Sequence, residues 1–180
     1  SGEGVKEGTS SNNGVGITPN IIQKNGAGYD ASTGIITWQV IVNSNETNVG
    51  AGAVVTDNIE ANQSYVEGSA TIDDGSNGSF INLSSSQVVY KFNNAFNKKY
   101  VITFKTQVIN PTHYRANHSE NYKNIVNLTA PNINQNTTGY QKVDSEIIRK
   151  EGVSYNYATR EVTWKIVVNR NKMPITNAVV

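Results

Sequence analysis

Three polar residues of the sequence occupy positions where the alternation of a β-strand favours an apolar side chain. Lys24, Asp57 and Asn124 each lie two positions from an apolar residue in a run of period two. The apolar neighbours at this spacing are Ile22, Val55, Ile59, Tyr122 and Val126. Because successive side chains of a strand point to opposite faces, all three polar groups are predicted to face the core. Each is costly to bury alone, so we expect the three side chains to meet.

A lysine and an aspartate buried beside an asparagine can react with it. Burial disfavours charge, so the lysine becomes a neutral, nucleophilic amine and the aspartate keeps its proton. The amine of Lys24 can attack the side-chain carbonyl of Asn124, while Asp57 polarises that carbonyl and shuttles protons to the departing ammonia. The product is an intramolecular isopeptide bond. Two alternatives remain open here: a buried Lys24–Asp57 ion pair with Asn124 capping a strand, or a slip in the alternation that leaves Lys24 in water.

The segments that must position these residues have the pattern of β-strands. Apolar residues recur at every second position in three runs, a period typical of strands. The runs are Ile36, Trp38, Val40 and Val42; Val88, Tyr90 and Phe92; and Tyr100, Ile102, Phe104, Thr106 and Val108, where a threonine takes one of the positions. Turn-forming Asn, Gly and Asp residues separate them, and no stretch longer than a turn or two has a helical stripe. The sequence therefore predicts an all-β protein, an antiparallel immunoglobulin-like β-sandwich.

An internal repeat indicates the domain organisation. Residues 24–29 align with 150–155 and residues 36–43 with 162–169, both at an offset of 126. The offset falls to 125 where residues 52–55 align with 177–180. We therefore predict a linker or expression remnant at 1–16, a complete repeat at 17–141 and the truncated first part of a second, homologous repeat at 142–180. A tandem array in the parent protein is expected.

Composition excludes several classes of partner and chemistry. The 15 Lys+Arg and 14 Asp+Glu residues leave a net charge of +1, so the basic excess that binds nucleic acid or anionic membranes is missing. Only 16% of residues are charged, whereas 26 are asparagine, a balance typical of an extracellular surface. The absence of cysteine excludes disulfides, thiolate metal sites and cysteine nucleophiles. No apolar stretch approaches the roughly 18–20 residues of a membrane span.

The strand sequences resemble the repeats of collagen-binding-type (CnaA-like) domains in Gram-positive cell-wall adhesins. The resemblance covers about residues 20–130 and 147–180; it rests on Ile-Thr-Trp at 36–38, Val-Thr-Asp at 55–57 and the closing strands at 100–104 and 122–129. Members commonly carry a Lys–Asn isopeptide bond with a catalytic Asp. The matching positions are Lys24, Asn124 and Asp57.

The resemblance also bears on two asparagines that neighbour Asn124 and on the lysine of the second repeat. Asn121 and Asn127 lie close to the matching asparagine, but the strand alternation favours Asn124. In the second repeat Lys150 matches the lysine, whereas the sequence given does not reach the matching aspartate and asparagine. We therefore expect Lys150 to remain uncrosslinked within its own unit.

Other residues with chemical potential are interpreted as structural. His113 and His118 lie in a polar segment where no third metal ligand is evident, so a solvated loop is favoured and no metal site is predicted. The oxygen-rich residues 73–77 lack the later bidentate glutamate of a calcium loop and are predicted to form a hairpin turn. No phosphate-binding loop, nucleophile elbow or spaced carboxylate pair is present. We expect no cofactor and no enzymatic turnover beyond the single autocatalytic crosslink.

Three functions from different classes fit these features. The first is a structural or stalk repeat of a secreted, cell-wall-anchored adhesin, which supports attachment to host or matrix and contacts neighbouring repeats of the same chain. The alternative is a direct ligand-binding module for collagen, another matrix protein or a glycan. The third is an accessory domain of an extracellular enzyme. Nucleic acid and membrane insertion are not expected.

The strand pattern of residues 142–180 predicts a further contact. Val162, Trp164, Ile166 and Val168 share one apolar face, but the rest of the unit that would cover this face is missing from the sequence given. An uncovered apolar strand is adhesive. We expect this face to be covered by self-association between copies of the chain or else by the preceding domain, with self-association favoured.

Overall fold

The computed structural model describes residues 20–180. The predicted linker at 1–16 and the first residues of the predicted complete repeat therefore lie outside the described residues. The strands are β1 (Ile22–Asp30), β2 (Ile35–Val42), β3 (Val54–Asn58), β4 (Gln63–Tyr65), β5 (Thr71–Ile72), β6 (Gly78–Ser84), β7 (Gln87–Phe92), β8 (Tyr100–Val108), β9 (His118–Ala130), β10 (Ile133–Ser145), β11 (Ile148–Asn156) and β12 (Glu161–Val168). A one-turn helix, α1 (Thr112–Arg115), precedes β9. Over residues 20–180, nothing helical has the length and apolar character that crossing a bilayer requires.

Ten of the strands form two antiparallel sheets. In the first sheet the order is β1-β2-β8-β4, and β5 also pairs with β8. In the second sheet the order is β10-β9-β3-β7-β6. The core lies between the inner faces of these sheets, as in a sandwich. The predicted all-β, antiparallel immunoglobulin-like architecture is confirmed.

The residues selected by the period-two pattern form the core. Strands β2 and β8 alternate between buried and more exposed positions, whereas in β7 Val89 is buried between Val88 and Tyr90. Trp38 and Phe104, which face each other in neighbouring strands β2 and β8, are both fully buried. Elsewhere in the core Phe92 packs on Tyr90 and Phe96, with ring centroids 4.9 and 4.4 Å apart. Burial of these large rings supplies much of the apolar area that stabilises the sandwich.

The oxygen-rich segment at residues 73–77 turns the chain through one turn of 3-10 helix (Gly75–Asn77), but the prediction of a hairpin turn is wrong. It connects β5, which pairs with β8 in the first sheet, to β6, which pairs with β7 in the second. The Asp74 carboxylate accepts a hydrogen bond from the Ser76 amide at 2.9 Å and forms an ion pair with Lys98. The composition correctly indicated a turn, but it carries no information about which sheet the next strand joins.

Two glycines allow β1 and β10, the edge strands of opposite sheets, to approach closely. A Cβ atom on Gly26 would lie 2.5 Å from the carbonyl oxygen of Tyr140. A Cβ on Gly139 would lie 2.4 Å from Cγ of Lys24 and 2.8 Å from the Lys24 carbonyl oxygen. Real Cβ atoms do not tolerate such distances, so any other residue would separate the strands. The two glycines thus close one side of the sandwich beside Lys24.

A Gly139→Ala variant is expected to be less stable than the parent by about 1–3 kcal/mol, because the new methyl group must displace β1 and the stem of Lys24. Urea denaturation measures the difference. Gly75→Ala is the matched control, since its Cβ would meet only Ile72, at an ordinary contact distance of 3.7 Å. Equal stability of the Gly139→Ala variant and the parent would contradict the close approach.

The remaining two strands repeat the geometry of the first hairpin. In the β1–β2 hairpin Lys24 pairs with Val40 and the register shifts after Gly26. In the β11–β12 hairpin Lys150 pairs with Ile166 and the register shifts after Gly152. The two hairpins are therefore equivalent structures at the offset of 126 seen in the sequence.

The apolar face of the β11–β12 hairpin is open to solvent. Trp164 is 56% exposed, and the other residues of this face are also exposed. The alternative that the preceding domain covers the face is wrong, because all four of its apolar residues, Val162, Trp164, Ile166 and Val168, are exposed. Self-association through residues 142–180 stays a prediction.

Candidate functional site

The fold brings Lys24, Asp57 and Asn124 to the interior from three different strands. Lys24 lies on β1 in the first sheet. Asp57 lies on β3 and Asn124 on the adjacent β9, both in the second sheet. Asp57 is directly opposite Val126, which is two residues along β9 from Asn124. Since residues two apart share a face, Asp57 and Asn124 are diagonal neighbours on the inner side of that sheet.

Lys24 and Asp57 meet between the two sheets. The Lys24 Nζ lies 2.5 Å from Oδ2 of Asp57, and the side chains are 0% and 1% exposed. The alternative in which Lys24 faces water is therefore wrong, because the alternation of β1 continues inward through this residue. This buried Lys24–Asp57 contact joins the two sheets through one polar side chain from each.

Asn124 completes the group. It is fully buried in the middle of β9, so the alternative in which it caps a strand is wrong. Its partner across β9 and β10 is Gly139, the residue against which Lys24 packs. Within residues 20–180, neither polar atom of the Asn124 amide has a hydrogen-bond partner, and neither does Oδ1 of Asp57. Unpaired buried polar atoms destabilise a fold. A reaction or rearrangement that satisfies these atoms would therefore stabilise the protein.

Burial shifts both ionisable groups of the site towards their neutral forms. Desolvation lowers the pKa of Lys24 from 10.5 to about 8, against the opposing effect of Asp57. Desolvation also raises the pKa of Asp57, against the opposing effects of Lys24 and the nearby Asn124 amide. Both directions favour a neutral amine beside a protonated acid. These are the protonation states that attack on an amide requires.

Aromatic rings surround the lysine amine and exclude water from it. The Lys24 Nζ lies 4.2 Å from the ring centroid of Phe104 and 5.0 Å from that of Trp38. The indole N–H of Trp38 donates to Oε1 of Gln63 at 3.1 Å and to the hydroxyl of Thr106 at 2.9 Å. These bonds fix the ring on which the lysine lies.

The sequence interpretation did not identify Gln63 as part of the site. Gln63 is buried, and its side-chain amide donates to the backbone carbonyl of Lys123 at 3.0 Å. It thereby connects the Trp38 ring to the strand that carries Asn124. The available signal was a polar residue at the start of a short strand, which is too common to single out a supporting residue.

The second hairpin carries a similar lysine in a different environment. Lys150 lies 4.6 Å from the ring centroid of Trp164, much as Lys24 lies near Trp38. However, Lys150 is exposed, and no salt bridge joins it to a carboxylate in the part of the chain that the structure describes. The β11–β12 hairpin places the Lys150 amine beside the Trp164 ring but leaves it exposed to water, so the burial that would make the amine reactive is missing.

Comparison with known proteins gives matches in structure alone. No protein-family model matches the sequence, and no curated protein matches it either. The chain is similar to the structure of ACE19, the collagen-binding subdomain of the Enterococcus faecalis surface protein ACE, with a TM-score of 0.50 and 15% identity over 67% of this chain and 94% of that one. It is also similar to the collagen adhesin CNA from S. aureus, with a TM-score of 0.51 and 10% identity over 84% of this chain.

A third similar structure is the collagen-binding domain of the Erysipelothrix rhusiopathiae surface protein RspB, with a TM-score of 0.50 and 18% identity over 72% of this chain. The chain spans about half the length of the CNA and RspB structures, 53% and 51% respectively. At these identities the likeness concerns the fold. The resemblance to CnaA-like domains is thereby confirmed at the level of architecture.

Proposed function

We propose that this chain is a structural repeat of a Gram-positive surface adhesin and that its Lys24 and Asn124 join in an isopeptide bond. The observation that carries the proposal is the buried contact of Lys24 with Asp57 beside the unpaired amide of Asn124. The three similar structures belong to bacterial surface proteins or adhesins, which supports a location on the cell surface. The function is mechanical support rather than turnover.

The reaction exchanges one amide for another. The neutral amine of Lys24 attacks the side-chain carbonyl carbon of Asn124, and a new carbon–nitrogen bond forms. The protonated Asp57 donates a hydrogen bond to the carbonyl oxygen, which stabilises the charge that develops there. Asp57 then transfers a proton from the attacking nitrogen to the departing one, so that the original carbon–nitrogen bond breaks and ammonia leaves. No oxidant or external cofactor is needed, because the reaction is a transamidation.

Intact-protein mass spectrometry tests the bond. The parent is expected to be lighter than its sequence by one ammonia, whereas Asp57→Ala should fold but keep the full sequence mass, since its proton shuttle is gone. Asp74→Ala is the matched control because Asp74 is an exposed carboxylate that also pairs with a lysine. A folded parent with the full sequence mass would show that the Lys24–Asp57 contact is a simple ion pair. Peptide mapping should place the link at Asn124 rather than Asn121 or Asn127.

A stalk role follows from the repeat together with the crosslink. The equivalent hairpins at an offset of 126 support a serial arrangement of similar domains, in which each unit passes tension to the next. We propose that such an array, secreted and anchored to the cell wall, holds a binding region away from the surface. Neighbouring repeats of the same chain are then its principal contacts.

Direct binding of a matrix protein is the second candidate function. It is favoured by the three similar structures, each of which is named as a collagen-binding domain or a collagen adhesin. A solid-phase assay with immobilised collagen and other matrix proteins distinguishes the two functions. Saturable binding by the chain favours a binding module, and its absence favours the stalk.

A further inference from the structure

A second cluster of polar side chains lies at the start of β9, apart from the lysine site. His118 and Glu120 are two residues apart on β9 and lie on the same face of the strand as Tyr122, at the end where that face is open to solvent. Helix α1 turns the chain so that His113 lies over them, with its ring stacked on that of His118 at a centroid distance of 3.7 Å. No third metal ligand was evident from the sequence, but the structure places Glu120 beside both histidines.

The distances within this cluster fit the ligand shell of a small metal ion. Oε2 of Glu120 lies 3.0 Å from Nε2 of His118 and 3.4 Å from Nδ1 of His113. Zinc–nitrogen and zinc–oxygen bonds of about 2.0–2.1 Å in a tetrahedron require ligand atoms about 3.3 Å apart. The donor atoms of all three residues lie within 4.8 Å of one another. Small side-chain rotations would therefore be sufficient to bring them around one ion.

We propose that His113, His118 and Glu120 bind a divalent transition-metal ion of the zinc class. Two imidazoles and one carboxylate suit zinc, nickel or copper, whereas calcium and magnesium prefer shells made entirely of oxygen. Three protein ligands leave a fourth position for water, since the two histidines and the glutamate are partly exposed. The site differs in residues and chemistry from the lysine site in the core.

Tyr122 holds His113 in place beside the cluster in the metal-free protein. Its hydroxyl lies 2.5 Å from Nδ1 of His113, and its ring packs edge-on against the histidine at a centroid distance of 6.0 Å. Tyr122 itself is fully buried, so the contact holds His113 against the sandwich. Nδ1 is also the nitrogen that faces Glu120, so an ion bound there would replace the hydrogen bond to Tyr122, while the buried Tyr122 ring would still pack against the histidine.

The segment between the two histidines also holds the second hairpin. The Asn117 side chain accepts hydrogen bonds from the amides of Ile147 and Ile148 at 2.8 and 3.1 Å and donates to the Ile148 carbonyl at 2.7 Å. A metal ion bound by His113 and His118 would fasten both ends of this segment. Metal binding is therefore expected to stiffen the connection between the sandwich and the β11–β12 hairpin.

Calorimetric titration of the tag-free chain with zinc chloride tests the site. One equivalent is expected to bind saturably, with His113→Ala and His118→Ala each weakening affinity by at least about tenfold. Glu161→Gln, which alters an exposed carboxylate in the second hairpin, is the control and should bind as the parent does. Calcium chloride should give no comparable binding. Absence of saturable zinc binding by the parent, or unchanged binding by both histidine variants, would overturn the proposal.

Limited trypsin digestion supplies a readout that does not depend on heat of binding. Arg115 is exposed between the two histidines, so zinc should slow cleavage after Arg115 in the parent but not in His113→Ala. Arg160 is exposed in the turn between β11 and β12. The rate of cleavage after Arg160 is the control, because it would change only if zinc inhibited the protease directly. Circular dichroism confirms that the variants fold. Equal cleavage at Arg115 with and without zinc, in a parent that folds normally, would contradict the stiffening.

Discussion

An Asn124→Ala variant is expected to lose about 4–5 kcal/mol of unfolding free energy relative to the crosslinked parent. The proposed bond closes a loop from Lys24 to Asn124, a separation of 100 positions, and a covalent closure of this size restricts the unfolded chain by about that amount. For a domain of this size the loss corresponds to a fall in Tm of about 15 °C. Differential scanning calorimetry measures it directly.

A double-mutant cycle separates the crosslink from ordinary packing. Lys24→Met removes the amine while it retains an unbranched side chain in the core, so it also abolishes the bond. If the bond carries most of the effect, Asn124→Ala should cost little in the Lys24→Met background, because there is no longer a bond to lose. Additive losses from the two substitutions would instead assign the effect to packing and contradict the crosslink.

Stretching a single molecule from both ends of the sandwich should release very little chain in the crosslinked parent. With residues 20 and 145 as attachment points, only the chain outside the loop can extend, about 25 residues or roughly 85 Å at full extension. In Lys24→Met the whole segment can unravel, which gives about 430 Å before subtraction of the folded end-to-end distance. Optical or atomic-force pulling resolves this difference.

The matched control for the pulling experiment is Asp57→Ala, which keeps both the lysine and the asparagine. It should extend as far as Lys24→Met, because both variants lack the bond for different chemical reasons. A parent that extends as far as these variants would show that tension passes through the folded strands and not through a covalent link.

The inward positions of Lys24, Asp57 and Asn124 could be predicted because strand alternation is a local property. Each residue has apolar neighbours at two-residue spacing, and the structure buries all three. Their meeting followed from the cost of burying such groups separately, and the geometry places Lys24 and Asp57 in direct contact. The sandwich could be predicted for the same reason, since strands β2, β7 and β8 follow the three period-two runs.

Features that depend on the path of the chain between strands could not be predicted. The turn at residues 73–77 crosses between sheets, and nothing in its composition distinguishes a crossing from a hairpin. Likewise, His113 reaches Glu120 only because α1 folds the chain back over β9. Alternation describes which way a side chain points along a strand, but not which distant segment lies opposite it.

The order of the strands along the chain determines when the proposed bond could form during synthesis and export. A chain that emerges from its N-terminus can pair β1 with β2 early and set Lys24 beside Trp38. Asp57 follows 33 residues later, and Asn124 arrives only with β9, the ninth of the ten strands of the sandwich. Closure therefore has to wait for a nearly complete domain, so the covalent bond would mark correctly folded molecules and leave misfolded ones open to surface proteases.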